Sequence, residues 1–202
     1  MKKLDVNPKA KGLIFDLDGT LADSMPVHFM AYKNILIDYG IDFCPDIFAT
    51  LAGIPAMDTI RKLNEMYGTD MHPKEVGAQK EKEYEKIMYK MKPIEPVVAL
   101  VKKYYGKLPM SVGTGGNKRL AWKTLEILDL DKYFNILVST EDVTLPKPDP
   151  ETFLKCAEKM GVEPPACQVF EDGEPGIKAA TSAGMMFTLV TDFYQVTIGK
   201  EV

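Results

Sequence analysis

The sequence predicts an α/β protein whose mostly parallel sheet is interrupted, after its first strand, by a block of helices. From residue 97 onward, short apolar segments alternate with amphipathic segments of helical period. Strands that alternate with helices form parallel sheets through right-handed crossovers. Residues 12–15 also have a buried-strand pattern, but the stretch that follows them carries only helical patterns. We therefore predict a core domain of residues 1–23 and 93–202, and a helical domain of residues 24–92.

The elements are predicted in order from these periodicities. In the inserted block, the first helix covers residues 26–39, with apolar side chains on one face and Gly40 placed to end it. Further helices are predicted at 46–52, 56–67 and 74–91. After Pro93 and Pro96 the predicted order is helix 97–105, strand 109–113, helix 118–128, strand 136–139, a helix opened by Asp149-Pro150, strand 168–171, helix 175–183 and strand 186–190.

The composition narrows the class of protein and its partners. The 202 residues are 46% apolar and 27% charged, with a formal net charge of -4, which is typical of a soluble globular protein. No basic stripe is present, so we expect no nucleic-acid partner and no membrane. The three cysteines lack a CxxC spacing and only two histidines occur, which argues against a disulfide framework or a zinc site. The amino-terminal residues lack a signal-peptide pattern, and we expect a cytoplasmic protein.

Polar side chains gather at the carboxyl ends of the predicted core strands. Ligands of parallel sheets bind beyond those ends, so the side chains of four separate segments should converge on one edge. They are Asp16 and Asp18 after the first strand, Thr114 after the strand PMSVG, Lys147 in the loop LPKPDP, and Glu171 and Asp172 at the end of the strand CQVFED.

The carboxylates predict a magnesium site. Asp16, Asp18 and Asp172 offer hard oxygen ligands and no soft ones, which favours Mg²⁺ over zinc. Side chains two apart on an extended backbone point the same way, so Asp16 and Asp18 can face one site. A divalent cation also removes their mutual repulsion, and Gly19 permits a sharp turn after them.

The remaining groups suit a phosphoryl group. Thr114 supplies a hydroxyl, and backbone N–H groups near Gly115 and Gly116 can approach an anion closely. Lys147 supplies a positive point charge. Together with the carboxylates, these residues predict phosphoryl transfer, with Asp16 as nucleophile forming an aspartyl-phosphate and Asp18 as general acid–base.

Other interpretations of single motifs are weaker. A calcium loop would place glycine at the sixth position, whereas DLDGT has it at the fourth. The segment VGTGGNKR lacks the Gly-Lys-Ser/Thr ending of a phosphate loop and does not complete GxGxxG, and the serines have no GxSxG setting. Taken alone, Glu171-Asp172-Gly173 is a surface turn and Lys147 a solvated loop residue. His28, on the first helix of the insert, is either a structural histidine or a substrate contact.

With those residues assembled, the sequence resembles the haloacid dehalogenase-like phosphatase superfamily over nearly the whole chain. Four segments carry the resemblance, in order: DLDGT (16–20), Thr114 in VGTGG, Lys147 in KPDP, and EDGEPGIKAA (171–180). It implies a doubly wound core, an aspartyl nucleophile and a mobile cap formed by the helical insert. It also implies that Mg²⁺ is held by Asp16, the backbone carbonyl of Asp18, and Asp172, with Glu171 acting through water.

The helical cap is similar to that of the subclass containing β-phosphoglucomutases and many sugar-phosphate phosphatases. The segment LAGIPAMDTI (51–60) resembles the mutase cap, but Ala52 and Ala56 stand where the mutase has a lysine and an arginine. Gly116 stands where it has a serine. A mutase must hold the second phosphate of a bisphosphate intermediate, so these differences favour hydrolysis, although Arg61 and Lys62 lie nearby and can compensate.

We therefore expect a magnesium-dependent phosphatase of small sugar phosphates. Residues 109–116 and 150–180 resemble bacterial phosphatases active on fructose-1-phosphate and 6-phosphogluconate. The alternatives are a β-phosphoglucomutase-like isomerase and a non-catalytic binding module, the latter disfavoured because the full catalytic set is present. We expect the partner to be a small phosphorylated metabolite, the protein to be a monomer or weak dimer, and the cap hinges to lie near Ala22–Met25 and Lys92–Pro96.

Overall fold

The computed structural model of the protein describes residues 4–51 and 54–194. The chain divides into two compact units. One unit comprises the described residues up to Asp23 and those from Lys92 onward, and the other is Ser24–Met91. The helical unit thus begins at residue 24, as predicted, and ends at Met91, one residue before its predicted end at residue 92. The role of the helical unit as a cap stays a prediction.

The described residues form seven strands and eight α-helices. The strands are β1 (Gly12–Phe15), β2 (Ala22–Asp23), β3 (Lys92–Pro93), β4 (Met110–Gly113), β5 (Leu137–Val138), β6 (Cys167–Glu171) and β7 (Met186–Leu189). The helices are α1 (Met25–Leu36), α2 (Pro45–Leu51), α3 (Ala56–Tyr67), α4 (Pro73–Ile87), α5 (Glu95–Tyr104), α6 (Lys118–Ile127), α7 (Glu151–Met160) and α8 (Glu174–Ser182).

Five strands of the first unit form one parallel sheet in the order β5-β4-β1-β6-β7. The first strand in the sequence lies at the centre, hydrogen-bonded to β4 on one side and β6 on the other. All four of its residues are buried, as is usual for a strand covered on both faces. The strand order explains how segments far apart in sequence end side by side.

Alternate side chains of the central strand pack into two separate hydrophobic cores. Leu13 and Phe15 belong to a cluster that includes side chains of α5 and α6, whereas Ile14 belongs to one that includes side chains of α7 and α8. Phe15 stacks on Phe170 with ring centroids 5.0 Å apart. The sheet is therefore covered by helices on both faces, which confirms the predicted α/β core.

The helical unit has its own apolar core. Four aromatic side chains, Phe29, Tyr32, Phe43 and Phe48, pack with neighbouring ring centroids 5.6–6.4 Å apart. Apolar side chains of α3 and α4 complete the cluster. The unit is thus stabilised by burial of apolar and aromatic groups within itself.

Three features differ from the predicted elements. The helix predicted at 74–91 starts at Pro73 and changes at Met88–Lys90 to a 3-10 helix. The first helix of the insert likewise ends at Leu36 and continues as a 3-10 turn. The antiparallel ribbon of β2 and β3 was not predicted, because two-residue strands carry no periodicity.

No helix among residues 4–51 and 54–194 is long and apolar enough to cross a membrane. The longest, α4, has 15 residues and is rich in lysine and glutamate.

Candidate active site

The predicted site residues of the core lie at the carboxyl edge of the parallel sheet. Asp16 directly follows β1, Thr114 directly follows β4, and Glu171 is the last residue of β6. These three strands are parallel neighbours, so their carboxyl ends meet at one edge. The backbone N–H of Asp16 donates to the Phe170 carbonyl at 3.0 Å, which continues the ladder into the site.

Lys147 reaches this edge from the loop between β5 and α7. Its Nζ donates to Asp16 Oδ1 at 2.7 Å and to Glu171 Oε1 at 3.0 Å. All three side chains are at most 8% exposed, and the Lys147 ammonium lies 4.6 Å from the centroid of the Phe153 ring. The lysine predicted to reach the site is therefore a buried cation between two carboxylates, and not the solvated loop residue that its own motif would suggest when taken alone.

Three carboxylates meet around this lysine. Asp16, Glu171 and Asp172 each bring one oxygen to within 4.8 Å of the others. Burial raises the pKa of Asp16 to about 7, and the charge of Glu171 adds to the shift while Lys147 opposes it. Burial, together with the charges of Asp16 and Glu171, raises the pKa of Asp172 to about 9. One ammonium does not balance two buried carboxylates and a third that is partly buried, so the cluster favours additional positive charge.

Glu171 accepts hydrogen bonds through both of its carboxylate oxygens. Burial opposes its ionisation, but the Lys147 ammonium and hydrogen bonds hold its pKa below the ordinary value. Its Oε2 accepts the backbone N–H groups of Asp172 at 2.6 Å and Gly173 at 3.2 Å. Its other oxygen accepts from Lys147, so the side chain links the end of β6 to the lysine loop.

Gly176 makes room for that side chain. A Cβ at this position in α8 would lie 1.7 Å from Glu171 Oε1 and 2.3 Å from its Cγ. The glycine is thus required by the packing of Glu171 against the helix. Sequence reasoning missed this role, and the glycine inside the helical pattern of residues 175–183 was the available signal.

Gly19 makes a second close approach. It has φ +81, its N–H donates to the Ala22 carbonyl at 2.8 Å, and a Cβ there would lie 2.0 Å from Asp172 Oδ2. Both the left-handed backbone and the contact require glycine. The predicted sharp turn after Asp18 is present, and it brings the chain against the carboxylate of Asp172.

The loop after β4, which we call the Thr114 loop, forms another side of the site. Thr114 is buried, and its N–H donates to the Val138 carbonyl at 2.9 Å. Its Oγ1 accepts the N–H of Gly116 at 2.9 Å, so that N–H, which we expected to approach an anion, is directed at the threonine. Gly115 is exposed. The half-buried Asp18 faces this loop, since a Cβ at Gly116 would lie 3.7 Å from Asp18 Oδ2.

Comparison with known proteins decides the family. Residues 13–190 match the haloacid dehalogenase-like hydrolase family, which is most of the chain. The protein belongs to the haloacid dehalogenase-like hydrolases. Family membership and the parallel sheet together confirm the predicted resemblance and the predicted fold.

Curated relatives of this hydrolase include phosphatases and a mutase. It is 37% identical over 174 residues to the fructose-1-phosphate phosphatase YqaB of Escherichia coli, covering 86% of this chain and 93% of the relative. It is 31% identical over 179 residues to a phosphorylated carbohydrates phosphatase of Thermotoga maritima, covering 87% and 82%. It is 30% identical over 182 residues to the β-phosphoglucomutase of Bacillus subtilis, covering 87% and 80%.

Solved structures show the same fold for this hydrolase. A haloacid dehalogenase-superfamily hydrolase of subfamily IA from Geobacter sulfurreducens superposes with a TM-score of 0.74 at 23% identity, covering 90% of this chain and 87% of that one. At that level of identity the likeness concerns the fold.

His28 lies within the helical unit of the hydrolase, on α1. Its ring stacks on Tyr84 with centroids 4.2 Å apart and planes 9° apart, and its Nδ1 lies 2.9 Å from Lys80 Nζ. Lys80 itself is buried. Its Nζ lies 3.0 Å from Glu81 Oε1 and 5.3 Å from the centroid of the Tyr32 ring. These contacts favour the structural interpretation of the histidine. A substrate contact for His28 stays a prediction.

Proposed function

We propose that this hydrolase is a Mg²⁺-dependent phosphatase of small sugar phosphates that works through an aspartyl-phosphate on Asp16. The observation that carries the proposal is the buried Lys147 ammonium bonded to Asp16 and Glu171, inside a cluster of three carboxylates at the carboxyl edge of the sheet. Nucleophile, cation and metal-type ligands are the components that phosphoryl transfer requires. The phosphatases among its relatives support the same class of reaction.

The carboxylate cluster fits a magnesium ion. Its oxygens are hard ligands within 4.8 Å of one another, and the raised pKa values of Asp16 and Asp172 show that their negative charges are not balanced. Asp16, Asp172 and the backbone carbonyl of Asp18 would hold the ion, with Glu171 acting through water. When bound, Mg²⁺ would neutralise charge on the phosphoryl oxygens.

In the first half of the reaction, a carboxylate oxygen of Asp16 attacks phosphorus and forms an acyl-phosphate bond. The bond from phosphorus to the sugar oxygen breaks, and the leaving oxygen takes a proton from the carboxyl group of Asp18. Asp18 suits this role because it lies two residues from Asp16 and is only half-buried. The sugar leaves as a neutral alcohol, and Asp18 is left as a carboxylate.

In the second half, water attacks the phosphorus of the aspartyl-phosphate and gives its proton to the Asp18 carboxylate. The acyl-phosphate bond breaks, inorganic phosphate leaves, and both aspartates return to their starting states. Lys147 lies against Asp16 and would neutralise part of the phosphoryl charge in both steps. The Thr114 hydroxyl and the backbone at Gly115 would donate to the remaining phosphoryl oxygens.

A mutase is the second candidate, because a β-phosphoglucomutase is among the relatives at 30% identity. Ala56, the first residue of α3, stands where the mutase has an arginine, and Gly116 has no side chain to donate. Ala52 lies outside the described residues. Arg61 is exposed and forms an ion pair with Asp58 of the same helix, so part of its positive charge is already neutralised. These features favour hydrolysis.

The test is phosphate release from a panel of sugar phosphates with Mg²⁺ and, separately, with excess EDTA. The panel contains fructose-1-phosphate, 6-phosphogluconate, glucose-6-phosphate and β-glucose-1-phosphate, the last followed also for glucose-6-phosphate with a bisphosphate primer. We expect phosphate from one or two sugars, and none with EDTA. Isomerisation of β-glucose-1-phosphate without net phosphate release would favour the mutase, and unchanged activity in EDTA would refute the magnesium requirement.

A further inference from the structure

The first turn of α6, which follows the Thr114 loop, is already occupied by a carboxylate of this chain. Glu141 Oε1 accepts the side-chain amide of Asn117 at 2.6 Å and the backbone N–H of Lys118 at 3.1 Å. Asn117 Oδ1 in turn accepts the backbone N–H of Leu120 at 3.2 Å. A helix N-terminus attracts anions through its N–H groups, and here Glu141 takes that position.

The ammonium on this turn is also engaged. Lys118 Nζ donates to Asp142 Oδ1 at 2.7 Å, and the N–H and hydroxyl of Ser139 donate to Oδ2 at 2.9 and 2.8 Å. Partial burial opposes ionisation of Asp142, but these hydrogen bonds hold its pKa down to about 2. Asp142 is therefore charged at any pH at which the protein would be assayed.

The two acids, Glu141 and Asp142, are the rim carboxylates of the site. Their turn is fixed to the Thr114 loop, because the N–H and hydroxyl of Thr140 donate to the Gly116 carbonyl at 3.4 and 3.1 Å. Gly116 in turn donates to Thr114 Oγ1 and faces Asp18. The rim carboxylates thus lie along the same wall as the residues proposed to bind and protonate the substrate.

We propose that Glu141 is a specificity-determining residue that restricts the enzyme to substrates with a single phosphoryl group. This inference rests on the proposed phosphatase function. A second phosphoryl group beside this wall needs donors and positive charge. The donors of Asn117 and Lys118 are bound to the rim carboxylates, and the exposed Glu141 repels a second dianion. Selection between sugar monophosphates and bisphosphates then comes from repulsion as much as from missing donors.

The test compares kcat/KM for fructose-1-phosphate and fructose-1,6-bisphosphate in wild type, Glu141→Gln and Glu141→Ala. Glutamine keeps an oxygen to accept from Asn117 and Lys118 but removes the charge, whereas alanine removes both. Glu126→Gln is the matched control, because it makes the same charge change at an exposed position of α6, the helix whose first turn Glu141 contacts.

We expect the bisphosphate-to-monophosphate ratio of kcat/KM to rise by roughly three- to tenfold in Glu141→Gln, the size of effect for removing one nearby like charge. The gain should shrink at high salt, and Glu126→Gln should leave the ratio unchanged. A ratio unchanged or lowered in both Glu141 variants, with wild type active on monophosphates, would overturn this inference alone. No phosphate release by wild type from any monophosphate would refute the proposed function and, with it, this inference.

Discussion

Substituting alanine for Gly176 should damage the carboxylate cluster, although the position lies inside a helix. A Cβ at this site would lie 1.7 Å from Glu171 Oε1, 2.1 Å from its Cδ and 2.3 Å from its Cγ. Moving only the end of the side chain is not enough, because the Cγ is also too close. Glu171 would have to leave its place, breaking its bond to Lys147 and its bonds to the N–H groups of Asp172 and Gly173.

The size of the effect follows from two opposing contributions. Replacing a glycine inside a helix by alanine ordinarily raises the free energy of unfolding by about 0.5–1 kcal/mol. Removing one partner from a buried ion pair costs about 3–5 kcal/mol, and Lys147 retains Asp16, which places the cost at the lower end. We expect Gly176→Ala to lower the free energy of unfolding by about 2–3 kcal/mol and to weaken Mg²⁺ binding by roughly 10- to 100-fold, the usual effect of disturbing a residue that orients metal ligands.

Urea unfolding and Mg²⁺ titration would measure both effects, with Gly77→Ala as the matched control. Gly77 is also a buried helical glycine, but a Cβ there would have its nearest neighbour at 3.6 Å, an ordinary contact. The control should therefore be stabilised by about 0.5–1 kcal/mol, with Mg²⁺ binding unchanged. If Gly176→Ala were as stable as Gly77→Ala and bound Mg²⁺ normally, the reasoning about Glu171 would be refuted.

Three further outcomes follow from the site. Asp16→Asn should abolish phosphate release in a protein that still folds, with a far-ultraviolet circular dichroism spectrum like that of the exposed control Asp131→Asn; substantial residual activity would exclude Asp16 as nucleophile. Asp18→Asn should lower kcat by roughly 100-fold or more, the usual contribution of a general acid–base, with little change in Mg²⁺ affinity because the proposed ligand is the Asp18 backbone carbonyl; an equal loss of both would contradict that division. The folded pKa of Asp172, about 9, lies above the ordinary 3.8, so its contribution to the stability of the metal-free protein is full below pH 3.8 and lost as the pH rises through about 9. Mg²⁺ should therefore raise Tm more at about pH 8 than at about pH 5, and a pH-independent increment would count against a metal at this carboxylate.

The core could be predicted from the sequence because its elements carry strong periodicity. The predicted strand at 168–171 and helix at 56–67 agree with β6 and α3 to within a residue. The short strand β5 was predicted two residues too long, because the apolar Ile136 before it looks like part of the strand and Ser139 after it begins the next turn. Local pattern was sufficient where a segment was long or buried on both faces.

The gathering of acids and lysine at one edge could also be predicted, because it depends only on strand ends meeting in a parallel sheet. The sequence did not predict which groups touch. The Lys147 bond to Asp16 joins residues 131 positions apart, and the close approach of Gly176 to Glu171 depends on how α8 packs. Lys80 is buried against aromatic rings, although lysine is almost never fully buried, and nothing in the local sequence pattern predicts this. Such contacts depend on tertiary packing, which single-sequence periodicity does not contain.

The antiparallel ribbon of β2 and β3 bears on whether the helical insert can be replaced, by engineering or in evolution. Its strands pair Ala22 with Pro93 and Asp23 with Lys92, so the chain leaves the core and returns to it at adjacent points. Two adjacent antiparallel ends can be joined by a two-residue turn such as Asn-Gly. We therefore expect that the helical unit can be replaced by a shorter, longer or unrelated insert grafted at Asp23 and Lys92, with the order of the parallel strands unchanged.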